Sequence, residues 1–180
     1  SQKPEEIKAG WWDDRWSYRK AIVINHEQVA GDLVNFPMLV SLTDVSLGSH
    51  AQSDGDDIVF LSADGHRLFH EIENFSTTTG ALVAWVKIPA LSSVQDETIY
   101  MYYGNSSAGS QEDAANVWDE NYLSVWHMAE DPSGGVTPDG TSEIMDSTAN
   151  SNHANSGGSM QTSDRVTGKI SNGAYFDGAS

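Results

Sequence analysis

Six aromatic side chains are the residues whose types and spacing point most directly to a binding site. They are Trp11, Trp12, Trp16, Trp85, Tyr100 and Tyr102. The apolar faces of a sugar ring stack on Trp and Tyr side chains, and polar neighbours set the orientation of the sugar. These six residues are therefore predicted to form a carbohydrate-binding surface.

Packing is the alternative role for the same aromatic residues. Aromatic side chains at every second position of a strand usually fill a core or pair across strands. The sequence places Trp85, Tyr100 and Tyr102 on one face of two adjacent predicted strands, where such packing is expected. The N-terminal tryptophans either pack across one end of the domain or form an exposed platform.

Aspartates form the second candidate site. Asp54, Asp56 and Asp57 crowd a glycine turn, and Asp64 follows nearby in the sequence. Hard cations such as Ca²⁺ take several oxygen ligands at about 2.3–2.6 Å, so these four residues are predicted to hold a structural calcium ion. The spacing does not match an EF-hand. The alternative is a turn in which Asp side chains accept backbone hydrogen bonds before a strand.

Catalytic chemistry has less support in the sequence. Glu71 and Glu73 fall on one face of a predicted strand because residues i and i+2 point the same way, and glycosidases use two facing carboxyl groups. The acidic alternation stops at Phe75, so we expect a solvated strand face instead. The six histidines include no H-E-x-x-H zinc arrangement, and each is expected to be a surface or packed residue. We therefore predict that the protein is not an enzyme.

Composition limits the possible partners. The 180 residues include 9 Lys and Arg against 26 Asp and Glu, which gives a formal net charge of −17. Such a surface repels phosphates, and the basic stripe needed for nucleic-acid binding is absent from the sequence. The chain has no cysteine, which excludes disulfides and thiolate chemistry. No apolar run approaches the roughly 20 residues of a membrane span, so we expect neither nucleic-acid binding nor a membrane span.

Short apolar runs with a period of two dominate the first two thirds of the sequence. Strands are predicted at residues 18–25, 36–42, 57–61, 67–72, 81–88 and 98–103. The run 81–88 places Leu82, Ala84, Val86 and Ile88 on one face. Turn residues separate the runs at a regular spacing that is typical of an antiparallel β-sandwich or barrel. One short helix is predicted at 111–118, with Ser110 as its N-cap.

The composition changes after a further predicted strand at 123–128. Residues 129–173 are rich in Gly, Ser, Thr, Asn and Asp, and such a stretch buries little apolar surface on its own. A last short strand is predicted within 173–178. The sequence is therefore divided into a lead-in at 1–10, a β-sandwich domain at 11–119 and a separate segment at 120–180.

Five blocks of the sandwich domain resemble, in order, a family of bacterial and archaeal surface domains that is known as a domain of unknown function. The blocks are residues 11–20 (WWDDRWSYRK), 35–40 (NFPMLV), 53–60 (SDGDDIVF) with 63–65 (ADG), 70–73 (HEIE) with 84–89 (AWVKIP), and 99–105 (IYMYYGN). The resemblance implies an all-β, antiparallel, jelly-roll-like sandwich in a periplasmic or cell-surface protein. Some similar domains lie on the periplasmic side of TolQ/ExbB-type proton-channel proteins.

The segment 120–180 resembles the beginning of a LamG or concanavalin-like domain, which usually follows this family. Residues 125–128 (VWHM), 146–153 (DSTANSNH) and 168–178 carry the resemblance, and they match about the first third of such a domain. The later strands are not in the sequence, so the segment is expected to be incomplete. Loops of this kind sometimes hold calcium, which makes Asp146, Asn150, Asn152 and Asp177 a second candidate site.

These observations lead to a primary prediction and two alternatives. The primary prediction is a non-catalytic extracytoplasmic module that binds a glycan or another surface polymer, with any calcium in a structural role. The first alternative is a structural or sensory periplasmic domain that acts through protein contacts in a TolQ/ExbB-type protein. A glycosidase is the remote alternative.

Overall fold

The computed structural model describes residues 10–134, 144–156 and 160–178, and within them the fold is all-β, as predicted. The strands are β1 (Tyr18–Ile24), β2 (Leu33–Thr43), β3 (Val59–Ser62), β4 (Arg67–Leu68), β5 (His70–Ser76), β6 (Ala81–Leu91), β7 (Glu97–Tyr103), β8 (Arg165–Thr167) and β9 (Asn172–Ala174). The α-helices are α1 (Val45–His50) and α2 (Ala114–Val117), and 3₁₀ turns lie at His26–Gln28, Pro132–Gly134 and Thr162–Asp164.

Two antiparallel sheets enclose one apolar core. The first sheet has the strand order β1-β7-β3-β4 and the second has the order β2-β6-β5, while β8 and β9 form a separate hairpin. The core cluster draws Phe60 and Met101 from the first sheet and Ala84 and Val86 from the second. Burial of each large apolar side chain stabilises the fold by about 1.5–3 kcal/mol, so this shared core holds the two sheets face to face.

Alternation along β6 and β7 follows the predicted pattern. Leu82, Ala84, Val86 and Ile88 of β6 are buried in the core, which confirms the predicted face. Ile99, Met101 and Tyr103 of β7 enter the same core. Successive side chains of a strand point to opposite faces, so Tyr100 and Tyr102 are left on the outer face of the first sheet.

A β-bulge in β5 explains why the acidic alternation ends at Phe75. The register of β5 against β6 shifts between Ile72 and Asn74. Ile72 and Phe75 both pack against the core although they are three positions apart. An extra residue in a strand permits such a change of face, and Glu71 and Glu73 therefore remain on the outer face while Phe75 turns inward.

Helix α1 is an element that the sequence patterns did not indicate. The Asp44 side chain caps it by accepting a hydrogen bond from Leu47 N at 2.9 Å, and Leu47 is fully buried. Gly80 in the β5–β6 turn lies against the start of this helix with a φ of +69°, and a Cβ there would lie 1.9 Å from the Asp44 carbonyl oxygen. The tight approach requires glycine at that turn.

Helix α2 is shorter than predicted, and Ser110 does not cap it. The Glu112 carboxyl group accepts a hydrogen bond from Ile72 N at 2.6 Å, and Asp113 N donates to the His70 carbonyl oxygen at 2.9 Å. These bonds hold residues 111–113 alongside β5 in a non-helical course, so the helix begins only at Ala114.

The segment after α2 has little regular structure in its described part. The predicted strand at 123–128 is reduced to an isolated bridge between Trp126 and Asp146. The buried Asp146 side chain organises the turn by accepting hydrogen bonds from the backbone N–H groups of Val125, Thr148 and Asn152. Burial opposes ionisation of Asp146, but these bonds outweigh it and lower its pKa to about 2. None of the described helices has the length and apolar character of a membrane span.

Candidate functional site

The outer face of the first sheet carries a cluster of aromatic side chains. Trp16 is buried on this face with Val59, Leu61 and Tyr102. Its indole Nε1 donates to the Asp57 carbonyl oxygen at 2.6 Å. Trp16 therefore packs on the domain, and it forms the base of the cluster.

Trp11 and Trp12 cover the same face and are only half-buried. The Trp11 ring meets Tyr102 edge to face at 5.3 Å, and Trp12 lies 5.1 Å from Trp16. The Trp11 Nε1 donates to the Trp16 carbonyl oxygen at 2.8 Å. The N-terminal tryptophans pack on the outer face of the first sheet, not across one end of the domain, and they still present ring surface.

An open groove of about 250 Å³ lies beside these rings, between Arg19 and the β3–β4 turn. Arg19 is exposed, and its guanidinium carbon lies 4.8 Å from the Tyr100 ring centroid and 5.2 Å from that of Trp11. Its Nη1 donates to Gly10 O at 2.7 Å and to Tyr102 Oη at 3.3 Å. These contacts fix the guanidinium over the aromatic rings at the rim of the groove.

The opposite rim of the groove is polar. Asp64 and Ser62 line it, and the Ser62 hydroxyl donates to the Asp64 carboxylate. This hydrogen bond lowers the pKa of Asp64 below its usual value. The groove therefore offers aromatic surface with a cation on one rim and an anion on the other.

Trp85 does not belong to this surface. The prediction that Trp85, Tyr100 and Tyr102 share one face is therefore wrong. Trp85 lies on β6 in the second sheet, whereas the tyrosines lie on β7 in the first. Strands that follow each other in sequence are neighbours in only about two thirds of cases. Here the connection at residues 92–96 crosses from one sheet to the other.

The four aspartates predicted to bind calcium have no common centre. The Asp57 side chain is buried, with Oδ1 accepting from Gln52 N at 2.9 Å and Oδ2 from Gly104 N at 2.7 Å and Asn105 N at 2.8 Å.

Asp54 accepts a hydrogen bond from Asp56 N at 3.1 Å, and Asp64 follows the far end of β3. Asp54 and Asp57 thus make the turn contacts that were the alternative to a cation site. Across the described ranges, no group of three or more His, Cys, Asp or Glu side chains is arranged to hold a metal ion.

The second candidate calcium group makes the same kind of contact. Asn150 Nδ2 donates to the Leu123 carbonyl oxygen at 3.2 Å and Asn152 Nδ2 to the same oxygen at 2.8 Å. Together with Asp146, these side chains fasten the 146–153 turn to the segment after α2.

The outer face of the second sheet carries a buried polar cluster that sequence reasoning did not identify. His127 lies between two carboxyl groups, with Nε2 at 3.1 Å from Glu71 Oε2 and Nδ1 at 3.3 Å from Glu73 Oε2. The side chains of Glu71 and Glu73 are 13% and 5% exposed. The prediction that Glu71 and Glu73 lie on a solvated strand face is therefore wrong, because the segment after α2 folds back and covers this face of β5.

Tryptophan and serine donors complete this cluster. Trp118 Nε1 donates to Glu71 Oε2 at 2.9 Å, and Trp85 Nε1 donates to Glu73 Oε2 at 2.8 Å. The Ser147 hydroxyl donates to Glu71 Oε1. Burial favours the neutral form of Glu71, but the donors from His127, Ser147 and Trp118 outweigh it and lower its pKa. Donors from the protein itself occupy these carboxylate oxygens, and the arrangement is that of a structural junction.

A wider groove of about 620 Å³ lies beside this junction, between β2, β6 and the turn at 148–150. Three of the four amide side chains that line it have partners within the protein. Asn116 Nδ2 donates to Asp113 at 2.9 Å, Asn121 Nδ2 to Asp119 at 3.1 Å, and Asn150 Nδ2 to Tyr122 O at 3.0 Å. These amide groups are therefore already engaged within the protein, and we take the aromatic groove as the candidate site.

Sequence reasoning missed Arg19 and His127 as members of these clusters. Arg19 follows Tyr18, which packs against the core. Successive side chains of a strand point to opposite faces, so the alternation was the available signal for Arg19 on the outer face. His127 gave no comparable signal, because its partners lie more than fifty positions away on β5.

Comparison with known proteins gives one match. Residues 54–133 match the model of a family described as a domain of unknown function, DUF2341. No curated protein matches the chain, and no solved structure matches it. The matched span contains β3 to β7, α2 and His127, while Trp11, Trp12 and Arg19 lie outside it. From the turn before β3 to the segment after α2, the chain is thus similar to a domain of unknown function.

Proposed function

We propose that this chain is a non-catalytic, extracytoplasmic module that binds a glycan or another surface polymer in the aromatic groove. The observation that supports the proposal is the position of Arg19 over Trp11 and Tyr100, with Asp64 on the opposite rim. This arrangement keeps aromatic surface and both charge types at the mouth of one open groove.

The geometry matches the chemistry of a sugar. A sugar ring presents an apolar C–H face to an aromatic side chain and directs its hydroxyls sideways to polar groups. Trp11 and Trp12 supply the apolar wall of the groove, and Arg19, Ser62 and Asp64 supply a donor, a hydroxyl and an acceptor around it. A polymer extends along such an open groove without requiring a closed pocket.

The overall charge favours a neutral ligand. A chain with a formal net charge of −17 repels polyanions at a distance. Among the described residues that line the groove, the cation is Arg19, and it lies in the same site as the ionised Asp64. We therefore expect neutral glycans to be retained in preference to uronate-rich or sulfated ones.

A glycan array with the purified chain tests the proposal, in calcium and in chelator. We expect the chain to bind neutral glycans in both conditions, and Trp11→Ala or Tyr100→Ala to weaken binding about tenfold, which corresponds to about 1.4 kcal/mol. Trp126→Ala is the matched control, because Trp126 is a partly exposed tryptophan in the segment after α2. An array without a bound glycan, or groove variants that bind like the wild type, would reject the proposal.

Protein contact is the second candidate function, in a structural or sensory periplasmic domain such as one on a TolQ/ExbB-type protein. Exposed apolar side chains at Tyr175 (57%) and Phe176 (69%) favour it. An apolar patch joining residues 11–20 to 120–130 would support it further, but these segments cover opposite faces of the sandwich. Phe176→Ser would then reduce association with a partner while leaving glycan binding unchanged.

A further inference from the structure

We propose that the segment after α2 is held on the second sheet by a pH-dependent clamp, in which His127 bridges Glu71 and Glu73. The clamp joins β5 to residues that follow it by more than fifty positions. This proposal does not depend on what the aromatic groove binds, because the clamp lies on the opposite outer face.

Both ring nitrogens of His127 face a carboxylate oxygen. The distances are 3.1 Å from Nε2 to Glu71 and 3.3 Å from Nδ1 to Glu73. A neutral imidazole donates from one nitrogen only, whereas an imidazolium donates from both. The Nε2–Glu71 contact is a hydrogen bond, and the Nδ1–Glu73 contact is an ion pair. The protonated ring attracts both carboxylates, and loss of its proton leaves at most the hydrogen bond to Glu71.

Two tryptophans enclose the bridge and hold its carboxylates. The Trp85 ring is stacked on His127 with the centroids 6.1 Å apart, and the Trp118 centroid lies 6.0 Å away. Each indole also donates to one of the two glutamates. With the His127 side chain only 15% exposed, reduced access of water strengthens the attraction between these charges.

The charged groups around His127 come from every element packed against it. Glu71 and Glu73 lie on β5, Glu130 lies in the segment of His127 itself, and Glu112 faces Glu71 from the residues before α2. Lys87, two positions beyond Trp85 on β6, instead donates to the Asn116 carbonyl oxygen at 2.9 Å. The imidazolium is thus the cation that offsets this group of acids.

Glu130 adds a second observation. Its Oε1 accepts a hydrogen bond from Met145 N at 3.1 Å, whereas its Oε2 is buried and makes no hydrogen bond within the described residues. A buried acceptor without a donor destabilises the closed junction. The positive charge of His127 compensates part of that cost, and deprotonation withdraws the compensation.

Backbone conformation makes opening easier. Met128, the residue after His127, has a φ of +55°, in the left-handed region that non-glycine residues rarely adopt. The clamp holds the chain in this conformation, and release of His127 allows Met128 to relax. Residues 119–134 and 144–156 otherwise contribute isolated bridges to the fold.

The direction of the pH effect follows from these contacts. Burial lowers the pKa of His127, but Glu71, Glu73 and Glu130 raise it above the ordinary value of 6.5. The clamp is therefore fully formed below about pH 6.5 and is lost as the pH rises through the raised pKa of His127. At the acid end, the lowered pKa of Glu71 means that its contribution disappears as the pH falls below 4.5.

Amide hydrogen exchange of the full chain between pH 5.5 and 9 tests the clamp, after correction for the intrinsic pH dependence of exchange. NMR titration of the histidine rings is recorded on the same samples. We expect His127 to titrate above pH 6.5. Between that pH and the raised pKa of His127, opening at residues 144–154 should increase by up to about tenfold per pH unit. Amides of β6 remain protected throughout.

Matched variants separate the clamp from a general loss of stability. His127→Gln is expected to expose residues 144–154 at every pH, whereas His66→Gln, which alters an exposed ring in the β3–β4 turn, retains the wild-type profile. Glu73→Gln is expected to move the transition to lower pH. Protection that does not change with pH, or a Glu73→Gln transition at the wild-type pH, overturns the proposal even if His127→Gln fails to fold.

Discussion

The two outer faces of the sandwich carry the same kinds of side chain, but one face is open and the other is closed. On the first sheet, the Arg19 cation stacks on aromatic rings and an open groove remains beside it. On the second, the His127 cation lies between two carboxylates that tryptophan N–H groups also bind. Aromatic residues near a charge therefore do not identify a ligand site by themselves. What separates the faces is whether the covering segment brings donors to the charged groups of the sheet.

The covering segments account for this difference. The N-terminal segment brings aromatic rings, which fill space but leave the surrounding polar groups at the surface. The segment after α2 brings Trp118, His127 and Ser147, whose donors match the carboxylates on the sheet. One face is open because its cover is mainly apolar, and the other is closed because its cover is complementary in hydrogen bonding.

Removal of the support beneath the open face should have the largest effect. Asp57→Ala leaves three backbone N–H groups without an acceptor, one buried and two half-buried. We expect the free energy of unfolding to fall by about 4 kcal/mol. Urea denaturation measures this change. Asp54→Ala, at an exposed turn position, is the control and should leave the transition near that of the wild type. Equal effects of the two substitutions would contradict the role assigned to Asp57.

The stabilising contributions of His70 in β5 and of His127 packed against β5 should respond to pH in opposite directions. Burial in the core lowers the pKa of His70 to about 4, so its contribution is present above pH 6.5 and is lost as the pH falls towards 4. The difference corresponds to about 3 kcal/mol of stability. Thermal unfolding of the wild type and His70→Leu between pH 4 and 7 measures it. A wild-type slope retained in the variant would show that another group is responsible.

Breaking the closed face should open it without unfolding the sandwich. Glu71→Ala removes the acceptor of Trp118, His127 and Ser147, and we expect a loss of about 2–3 kcal/mol in the stability of the junction. Amide exchange should locate that loss in residues 144–154 and spare β6. Glu27→Ala, in the 3₁₀ turn after β1, is the control. Uniform loss of protection would mean that the junction and the core do not open separately.

The smallest effect is expected at the open face itself. Arg19→Gln removes a stacked cation from an exposed site, and cation–π contacts there contribute about 0.5–1 kcal/mol. The melting temperature should therefore change little while glycan binding decreases. Arg15→Gln is the control, because Arg15 pairs with Asp13 outside the groove. A larger loss of stability than of binding would make Arg19 a structural residue.

Local patterns in the sequence predicted the part of the fold that depends on alternation. The inward face of β6 and the outward tyrosines of β7 follow from a period of two. The sheet to which each strand belongs does not follow from this pattern, and Trp85 was therefore placed on the wrong surface. Alternation states which way a side chain points relative to its own strand, and carries no information about which strand lies beside it.

Long-range partners account for the other differences. The aromatic residues at 11, 12, 100 and 102 do line one groove, because their positions flank strands that pair directly. The burial of Glu71 and Glu73 depends instead on residues after α2 that return to β5 and are not predicted from a local pattern. Helix α1 was missed because its six residues are stabilised by the Asp44 cap and by burial of Leu47 more than by a periodic pattern.

The position of β1 at the edge of the first sheet has a consequence during synthesis of the chain. β1 is made before the other described strands of the sandwich, and β7, the last of them, is its neighbour in the sheet. At about 5–20 residues per second, the roughly 70 residues between them require on the order of ten seconds. Over that interval Ile22 and Ile24 have no sheet to join. The first sheet therefore closes only when β7 emerges, and β1 is the strand most exposed to premature contacts with other chains.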